Sequence, residues 1–126
     1  RMQANAIEAA EQCERLNVPT IDTVTKLEKL IEDWPSDRTL MFCDEDLSGK
    51  NVYSALKQFQ SSQNTNKWGI LIGPEGGFDD YERKLIKNKP NTVTVSLGPR
   101  VLRADTAAIA AITLWQASIG DWSVSQ

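Results

Sequence analysis

Two glycine-bearing segments contain the residues whose types and spacing could do chemistry. In the first, residues 73–77 (GPEGG), Glu75 stands among glycines, which let a flat ligand approach the main-chain amides closely. The segment lacks the G-K-[ST] ending of a phosphate-binding loop, and no strand of the chain is followed by G-x-G-x-x-G. Without a ligand, the same segment would be a tight strand-to-helix turn, with Glu75 as a solvated carboxylate.

The second segment, residues 97–107 (LGPRVLRADTA), carries Arg100 and Arg103 on either side of an apolar Val-Leu pair. Guanidinium groups make bidentate contacts with phosphate or with an electron-rich base, and the apolar pair could form a wall for a ring. A structural salt bridge is the alternative role for the arginines. Asp105 is predicted to be the N-cap of the helix that follows.

The residue types that are missing narrow the chemistry further. The chain has no histidine, which excludes Ser-His-Asp and Cys-His catalysis and the common zinc hydrolases. Cys13 and Cys43 form no C-x-x-C pair, so we expect two reduced, partly buried thiols in a cytoplasmic protein and no metal. Any reaction must therefore depend on carboxylates, arginines, lysines, backbone amides or a bound cofactor.

Composition and charge describe one globular domain. The chain has 126 residues, 40% of them hydrophobic and 25% charged, and it has no apolar run long enough for a membrane span. The net charge of −3 argues against a nucleic-acid partner. One basic cluster is an RNA-contact candidate, although a solvated helix face is its simpler explanation; it comprises Arg83, Lys84, Lys87 and Lys89.

The hydrophobic pattern predicts strands that alternate with helices. Short apolar runs predict buried parallel strands at residues 39–43, 68–72 and 92–97. Asp79 and Glu82 form a plausible capping box at the start of one helix, and residues 61–66 read as a polar connection. The predicted helices are residues 5–16, a short helix capped by Thr25 and stopped by Pro35, 51–59, 79–87 and 105–119, with Gly120 as the final stop.

This alternation implies an α/β fold with a mainly parallel sheet flanked by helices. In such sheets ligands bind beyond the carboxyl ends of the strands, and both glycine-bearing segments follow directly on a strand. The small face of the last helix suits core packing or a subunit interface; it consists of Ala107, Ala108, Ala110 and Ala111.

In chain order, these motifs resemble the RsmE-type family of ribosomal RNA uridine-N3 methyltransferases, which belong to the knotted SPOUT superfamily. The resemblance rests on residues 72–78 (IGPEGGF) with Glu82 downstream, and on residues 97–107. Residues 8–15 (EAAEQCER), followed by a Val-Pro pair, are similar to the family's early helix. The resemblance implies a trefoil knot at the C-terminal end.

The resemblance also implies S-adenosylmethionine as the methyl donor, a homodimer, and a target base of small-subunit ribosomal RNA that enters between subunits. It places main-chain groups around the cofactor, at or near Leu71, Ile72, Gly73, Gly76, Leu97, Gly98, Val101 and Leu102. Asp105 departs from the family, which usually has glutamate there. The chain also begins partway into the family pattern. Residues 1–126 are therefore expected to be a partial SPOUT domain, without the PUA-like RNA-binding barrel and the first part of the catalytic domain.

Methylation at N3 of uracil requires removal of a proton or stabilisation of the developing anion. Arg100 or Arg103 could donate hydrogen bonds to the base oxygens, and Glu75 is one possible general base. Two alternatives stay open. One is a knotted methyltransferase acting on another RNA position, such as a ribose 2′-hydroxyl. The other is a noncatalytic RNA- or nucleotide-binding module.

Overall fold

The computed structural model describes residues 2–45, 49–60 and 67–123. The strands are β1 (Thr39–Cys43), β2 (Lys50–Asn51), β3 (Trp68–Ile72) and β4 (Thr92–Ser96). The helices are α1 (Met2–Gln12), α2 (Leu27–Glu32), α3 (Val52–Gln60), α4 (Asp80–Lys87) and α5 (Ala104–Ser118), followed by a 3₁₀ turn at Asp121–Ser123.

The strands form a four-stranded sheet in the order β2-β4-β1-β3. Each pair is parallel, and β1 lies between β3 and β4, with Leu40 opposite Gly69 on one side and Thr92 on the other. The predicted α/β fold with a mainly parallel sheet is confirmed. The three predicted strands are present, although β4 ends one residue earlier than expected, at Ser96.

Helices cover both faces of the sheet, because successive strand side chains point to opposite faces. On one face Met41 and Val95 pack with buried residues of α3 and α5, such as Leu56 and Ala111. On the other face Leu40 and Phe42 pack with residues of α2, α4 and the segment before α4. These are Ile31, Ile86 and Phe78. The short apolar runs of the sequence are therefore buried on two sides, as expected for central parallel strands.

Several boundaries differ from the sequence predictions. α1 spans Met2–Gln12 rather than residues 5–16. Thr25 does not cap α2; its hydroxyl donates to the carbonyl of Thr23, and Lys26 occupies the N-cap position without a side-chain bond. β2 was not predicted, because two residues are too few for a periodic pattern to register. The connection predicted at residues 61–66 lies outside the described residues.

The start of α5 corrects one assignment. Arg103 is the N-cap residue and the helix begins at Ala104, so Asp105 lies inside the first turn instead of capping it. A carboxylate in the first turn is still favourable, because it faces the positive end of the helix dipole. Ala107 and Ala111 are buried, which confirms core packing for that part of the alanine-rich face.

Candidate functional site

The two glycine-bearing segments meet at the carboxyl edge of the sheet, on either side of the end of β1. Cys43, the last residue of β1, is level with Ile72 at the end of β3 and with Val95 near the end of β4. Because all three strands are parallel, the segments that follow them leave the sheet in the same direction. The predicted convergence of the two segments is therefore confirmed.

The larger hollow at this edge has a volume of about 210 Å³ and lies between the end of β1, the segment after β3 and the start of α5. It combines predicted residues from both segments with residues that the sequence did not single out. Its lining includes Cys43, Glu45, Ile72, Gly73, Glu75, Phe78, Val101, Leu102 and Arg103.

A smaller hollow of about 40 Å³ adjoins it on the β4 side. Leu97, Gly98 and Arg100 line this hollow but not the larger one. The residues common to the two are Cys43, Glu45, Val101, Leu102 and Ala107. The end of β1 and the apolar pair of the second segment therefore form a shared wall between the two spaces.

Glycine is required at two positions of the first segment, Gly73 and Gly77. The amide of Gly77 donates to the carbonyl of Pro74 at 2.9 Å, and Gly77 has a φ of +72°, which closes a tight turn. A side chain at Gly73 would place its Cβ 2.6 Å from the ring of Phe78. Phe78 is buried edge-on against Phe42, with ring centroids 5.2 Å apart, so the ring is held in place.

The helix after this segment begins as predicted. Asp79 accepts a hydrogen bond from the amide of Glu82 at 2.7 Å, and Glu82 accepts one from the amide of Asp79 at 2.9 Å. This confirms the capping box. It fixes the direction in which the chain leaves the larger hollow.

In the second segment, Gly98 has a φ of +113°, which side-chain-bearing residues rarely adopt. Apart from Gly98 and its two chain neighbours, no atom of the described residues lies within 4 Å of the position that a Cβ would occupy there. The hydroxyl of Ser96 holds the turn, since it accepts from the amide of Gly98 and donates to its carbonyl, both at 3.3 Å. The backbone at Gly98 is thus exposed to open space at the mouth of the smaller hollow.

For Leu71 and Gly76, the family resemblance implies contact with the cofactor through main-chain groups, and that remains a prediction. The side chain of Leu71 packs on the opposite face of the sheet, beside the core that contains Leu40 and Phe42. Gly76 is exposed at the tip of the turn, with nothing near its Cβ position. Among the described residues, neither lines either hollow. Leu71 faces away because β-strand side chains alternate, and it follows Ile70, which packs on the α5 side.

The two arginines line different hollows. Arg100 lines the smaller hollow and Arg103 the larger one, and both are exposed. Arg103 lies 3.5 Å from the carboxylate of Asp105, a pair with side chains 81% and 67% exposed, so the contact contributes little to stability. Among residues 2–45, 49–60 and 67–123, Arg100 has no ion-pair partner. Glu75 is also exposed, on the rim of the larger hollow.

Sequence reasoning missed the end of β1, although a signal was present. The rule that ligands bind beyond the carboxyl ends of parallel strands applies to β1 as well as to β3 and β4. Applied there, it selects Cys43, Asp44 and Glu45, which all line at least one hollow.

Asp44 also corrects the interpretation of the basic cluster as a solvated helix face. Its side chain is fully buried, and the Nε atom of Arg83 lies 3.2 Å from each carboxylate oxygen. The Nζ atom of Lys87 lies 3.4 Å from the same carboxylate. These two cations of α4 therefore bind the end of β1 and are only partly accessible to solvent.

The two cysteines have different environments. Both are free thiols, but Cys13 is exposed rather than partly buried as expected. Cys43 is half-buried on the shared wall, and burial raises its pKa to about 12. Cys43 is therefore a neutral thiol near neutral pH.

Residues 2–45, 49–60 and 67–123 contain no group of three or more His, Cys, Asp or Glu side chains arranged to hold a metal ion. No described helix has the length and hydrophobicity that a membrane crossing requires.

Comparisons with known proteins point to one family. A family model described as RNA methyltransferase domain matches residues 1–116. The chain is 34% identical over 112 residues to the ribosomal RNA small subunit methyltransferase E of Rickettsia conorii, which covers 89% of the chain and 44% of the relative. It is 32% identical over 109 residues to the protein of the same name from Bacillus subtilis, with 86% and 42% covered.

Two solved structures of similar fold are also structures of methyltransferases. A methyltransferase from Legionella pneumophila in complex with S-adenosylmethionine has a TM-score of 0.75 and 30% identity, over 91% of this chain and 44% of that one. Ribosomal RNA small subunit methyltransferase E from Neisseria gonorrhoeae, bound to S-adenosylmethionine, has a TM-score of 0.71 and 27% identity, over 91% and 45%. The chain thus spans about half the length of the relatives it matches.

Proposed function

The chain belongs to the RNA methyltransferase domain family, and on that premise we propose that it forms the S-adenosylmethionine-binding part of an enzyme that methylates a uridine at N3 in small-subunit ribosomal RNA. One observation carries the proposal: the glycine segment after β3 and the arginine segment after β4 enclose adjoining hollows at the end of β1. The choice of N3 rests on the family resemblance of residues 72–78 and 97–107.

The lining of the hollows fits a nucleoside cofactor. Ile72, Val101 and Leu102 offer apolar contact to a ring, while Gly73 and Gly98 leave main-chain groups accessible for hydrogen bonds. The larger hollow is smaller than the ~300–1,000 Å³ of common ligand pockets, so it would hold part of the cofactor, with the rest extending into the adjoining space. The main chain at Leu71 and Gly76 would contribute at the edge of this site.

In the proposed reaction the cofactor supplies the methyl group, and the protein stabilises the negative charge that develops on the base. Bound S-adenosylmethionine supplies an electrophilic methyl group, and the protein orients the uracil ring toward it. Arg100 and Arg103 would donate hydrogen bonds to the base oxygens on which negative charge accumulates as the N3 proton leaves. Glu75, on the rim of the larger hollow, is the proposed acceptor of that proton.

RNA affinity is proposed to come largely from elsewhere. Phosphate contacts dominate such affinity, yet the net charge here is −3, and Arg83 and Lys87 are already engaged by Asp44. The family resemblance suggests that a PUA-like barrel supplies many of the phosphate contacts, and that residues 1–126 are part of a larger SPOUT methyltransferase. On the basis of the same family resemblance, we propose that the protein is cytoplasmic.

The proposal extends to assembly and topology. Ile109 and Ile112 on α5 are 68% and 50% exposed, which suits a two-fold contact between copies of the chain. The family resemblance further supports a C-terminal trefoil knot and a target base that enters between subunits.

A methyl-transfer assay tests the proposed function. The protein is incubated with S-adenosylmethionine and small-subunit ribosomal RNA, and the RNA is digested to nucleosides for mass spectrometry. The proposal expects 3-methyluridine. A 2′-O-methylated nucleoside would favour the ribose alternative, and no methylation by a folded protein that binds the cofactor would favour a noncatalytic module.

A further inference from the structure

Glu45 is the charged residue at the junction of the two hollows. It follows β1 in the middle of the sheet edge, and it lines both spaces. The other described residues of the shared wall are uncharged, including Cys43, whose thiol is protonated near neutral pH. A group at this junction lies between the larger hollow and the smaller hollow that Arg100 lines.

Local geometry places the Glu45 carboxylate against the glycine segment. A Cβ on Gly77 would collide with Oε1 of Glu45, so the absence of a side chain at Gly77 makes room for this carboxylate. The φ of +72° at Gly77 independently favours glycine. Glu45 is half-buried there, which reduces the screening of its charge by water.

Three cations of this region lie near two other carboxylates. Arg83 and Lys87 lie within ion-pair distance of Asp44, and Arg103 lies near Asp105. Within the part of the chain that the structure describes, Glu45 has no ion-pair partner. Its charge is therefore available to a ligand in the hollow.

We propose that Glu45 is the electrostatic partner of the cofactor's sulfonium group and makes the site prefer the charged methyl donor to its neutral product. This inference rests on the proposed function. S-adenosylmethionine carries a sulfonium and an ammonium group against one carboxylate. S-adenosylhomocysteine has lost the sulfonium charge and is neutral overall. A carboxylate at the junction attracts the first more strongly, which favours exchange of product for fresh donor after each transfer.

Calorimetry with both ligands tests the role of Glu45. Glu45→Gln keeps the shape of the side chain and removes its charge. We expect its affinity for S-adenosylmethionine to fall about fivefold to tenfold, the scale of one charge-assisted contact at a partly solvated site. Its affinity for S-adenosylhomocysteine should change less than about twofold, because that ligand lacks the sulfonium charge. Glu45→Asp should retain most of the preference for the donor.

The control is Glu28→Gln, which removes the same charge from an exposed position on α2. It should leave both affinities unchanged, and circular dichroism should show that every variant is folded. Equal losses for both ligands in Glu45→Gln would assign Glu45 to shaping the site, and no loss would remove it from the site; either result overturns the inference. If the unmodified protein binds neither ligand, the proposed function itself fails.

Discussion

The Nε atom of Arg83 lies 3.2 Å from both carboxylate oxygens of Asp44, which joins α4 to the residue that follows β1 at the candidate site. Asp44 is fully buried, whereas the Arg83 side chain is 22% exposed. A buried carboxylate requires such partners, because the loss of hydration is costly unless hydrogen bonds replace it. The contact therefore contributes both to stability and to the position of Glu45, the next residue.

Replacement of Asp44 by alanine should destabilise the fold. We expect the free energy of unfolding to fall by about 2–3 kcal/mol, since the change removes charged hydrogen bonds and leaves Arg83 partly buried without this partner. Urea denaturation measures the change. Asp37→Ala is the matched control, because its ion pair with Lys67 at 3.1 Å is exposed and should contribute far less. Similar losses in the two variants would contradict the structural importance of Asp44.

Much of the fold and of the candidate site could be predicted from the sequence. The short apolar runs located β1, β3 and β4, and the pattern at Asp79 and Glu82 predicted its capping box correctly, because both signals are local. The pairing of Asp44 with Arg83 could not be predicted, since 39 residues separate the two and only the folded chain brings them together. The direction of the Leu71 side chain, which packs beside Leu40 and Phe42, depends on strand alternation, which a family motif does not express.

Replacement of the arginines tests the proposed stabilisation of charge on the base. Arg100→Ala and Arg103→Ala should each lower the single-turnover methylation rate if that arginine acts in the transition state, by ~10²–10³-fold, with little effect on cofactor affinity. Lysine should not fully restore the rate, because it lacks the planar bidentate fork. Since Arg103 is near Asp105 and Arg100 has no such described neighbour, we expect Arg100 to show the larger effect.

The measurement combines rapid quench with calorimetry of cofactor binding. Normal rates in both folded variants would exclude a catalytic role. If both variants unfolded, the arginines would be structural.

The thiol of Cys43 should report on the candidate site. Alkylation requires the thiolate, and burial raises the pKa of Cys43 to about 12, so iodoacetamide at neutral pH should modify the exposed Cys13 first. The reaction of Cys43 should accelerate as pH approaches 12. Since the raised pKa favours the neutral thiol in the folded state, this group's contribution to stability is complete below the unfolded pKa and is lost as pH rises toward 12.

Peptide mass spectrometry follows both sites, and bound cofactor should slow Cys43 further because Cys43 lines both hollows. Rapid alkylation of Cys43 at neutral pH would show that the wall is open to solvent.

The introduction of negative charges on the exposed face of α5 should disrupt the proposed dimer. The double variant Ile109→Asp, Ile112→Asp should shift the protein from dimer to monomer in sedimentation velocity, because a two-fold contact would place each new carboxylate near its copy. Val24→Asp introduces a charge at a fully exposed position as the control. An unmodified protein that is a folded, active monomer would end the proposal of a dimer.

The central claim is that the carboxyl edge of β1, β3 and β4 holds the cofactor, and a nuclear magnetic resonance titration tests it most directly. In ¹⁵N-labelled protein, S-adenosylmethionine should shift the amide signals of Gly73, Gly98 and Leu102 in a saturable manner. The same titration of Gly98→Val should give no shifts, because the valine occupies the open space beside Gly98 and disfavours its φ of +113°. Saturable shifts confined to the separate hollow lined by Gly49 and Thr94, with these edge signals unchanged, would contradict the claim.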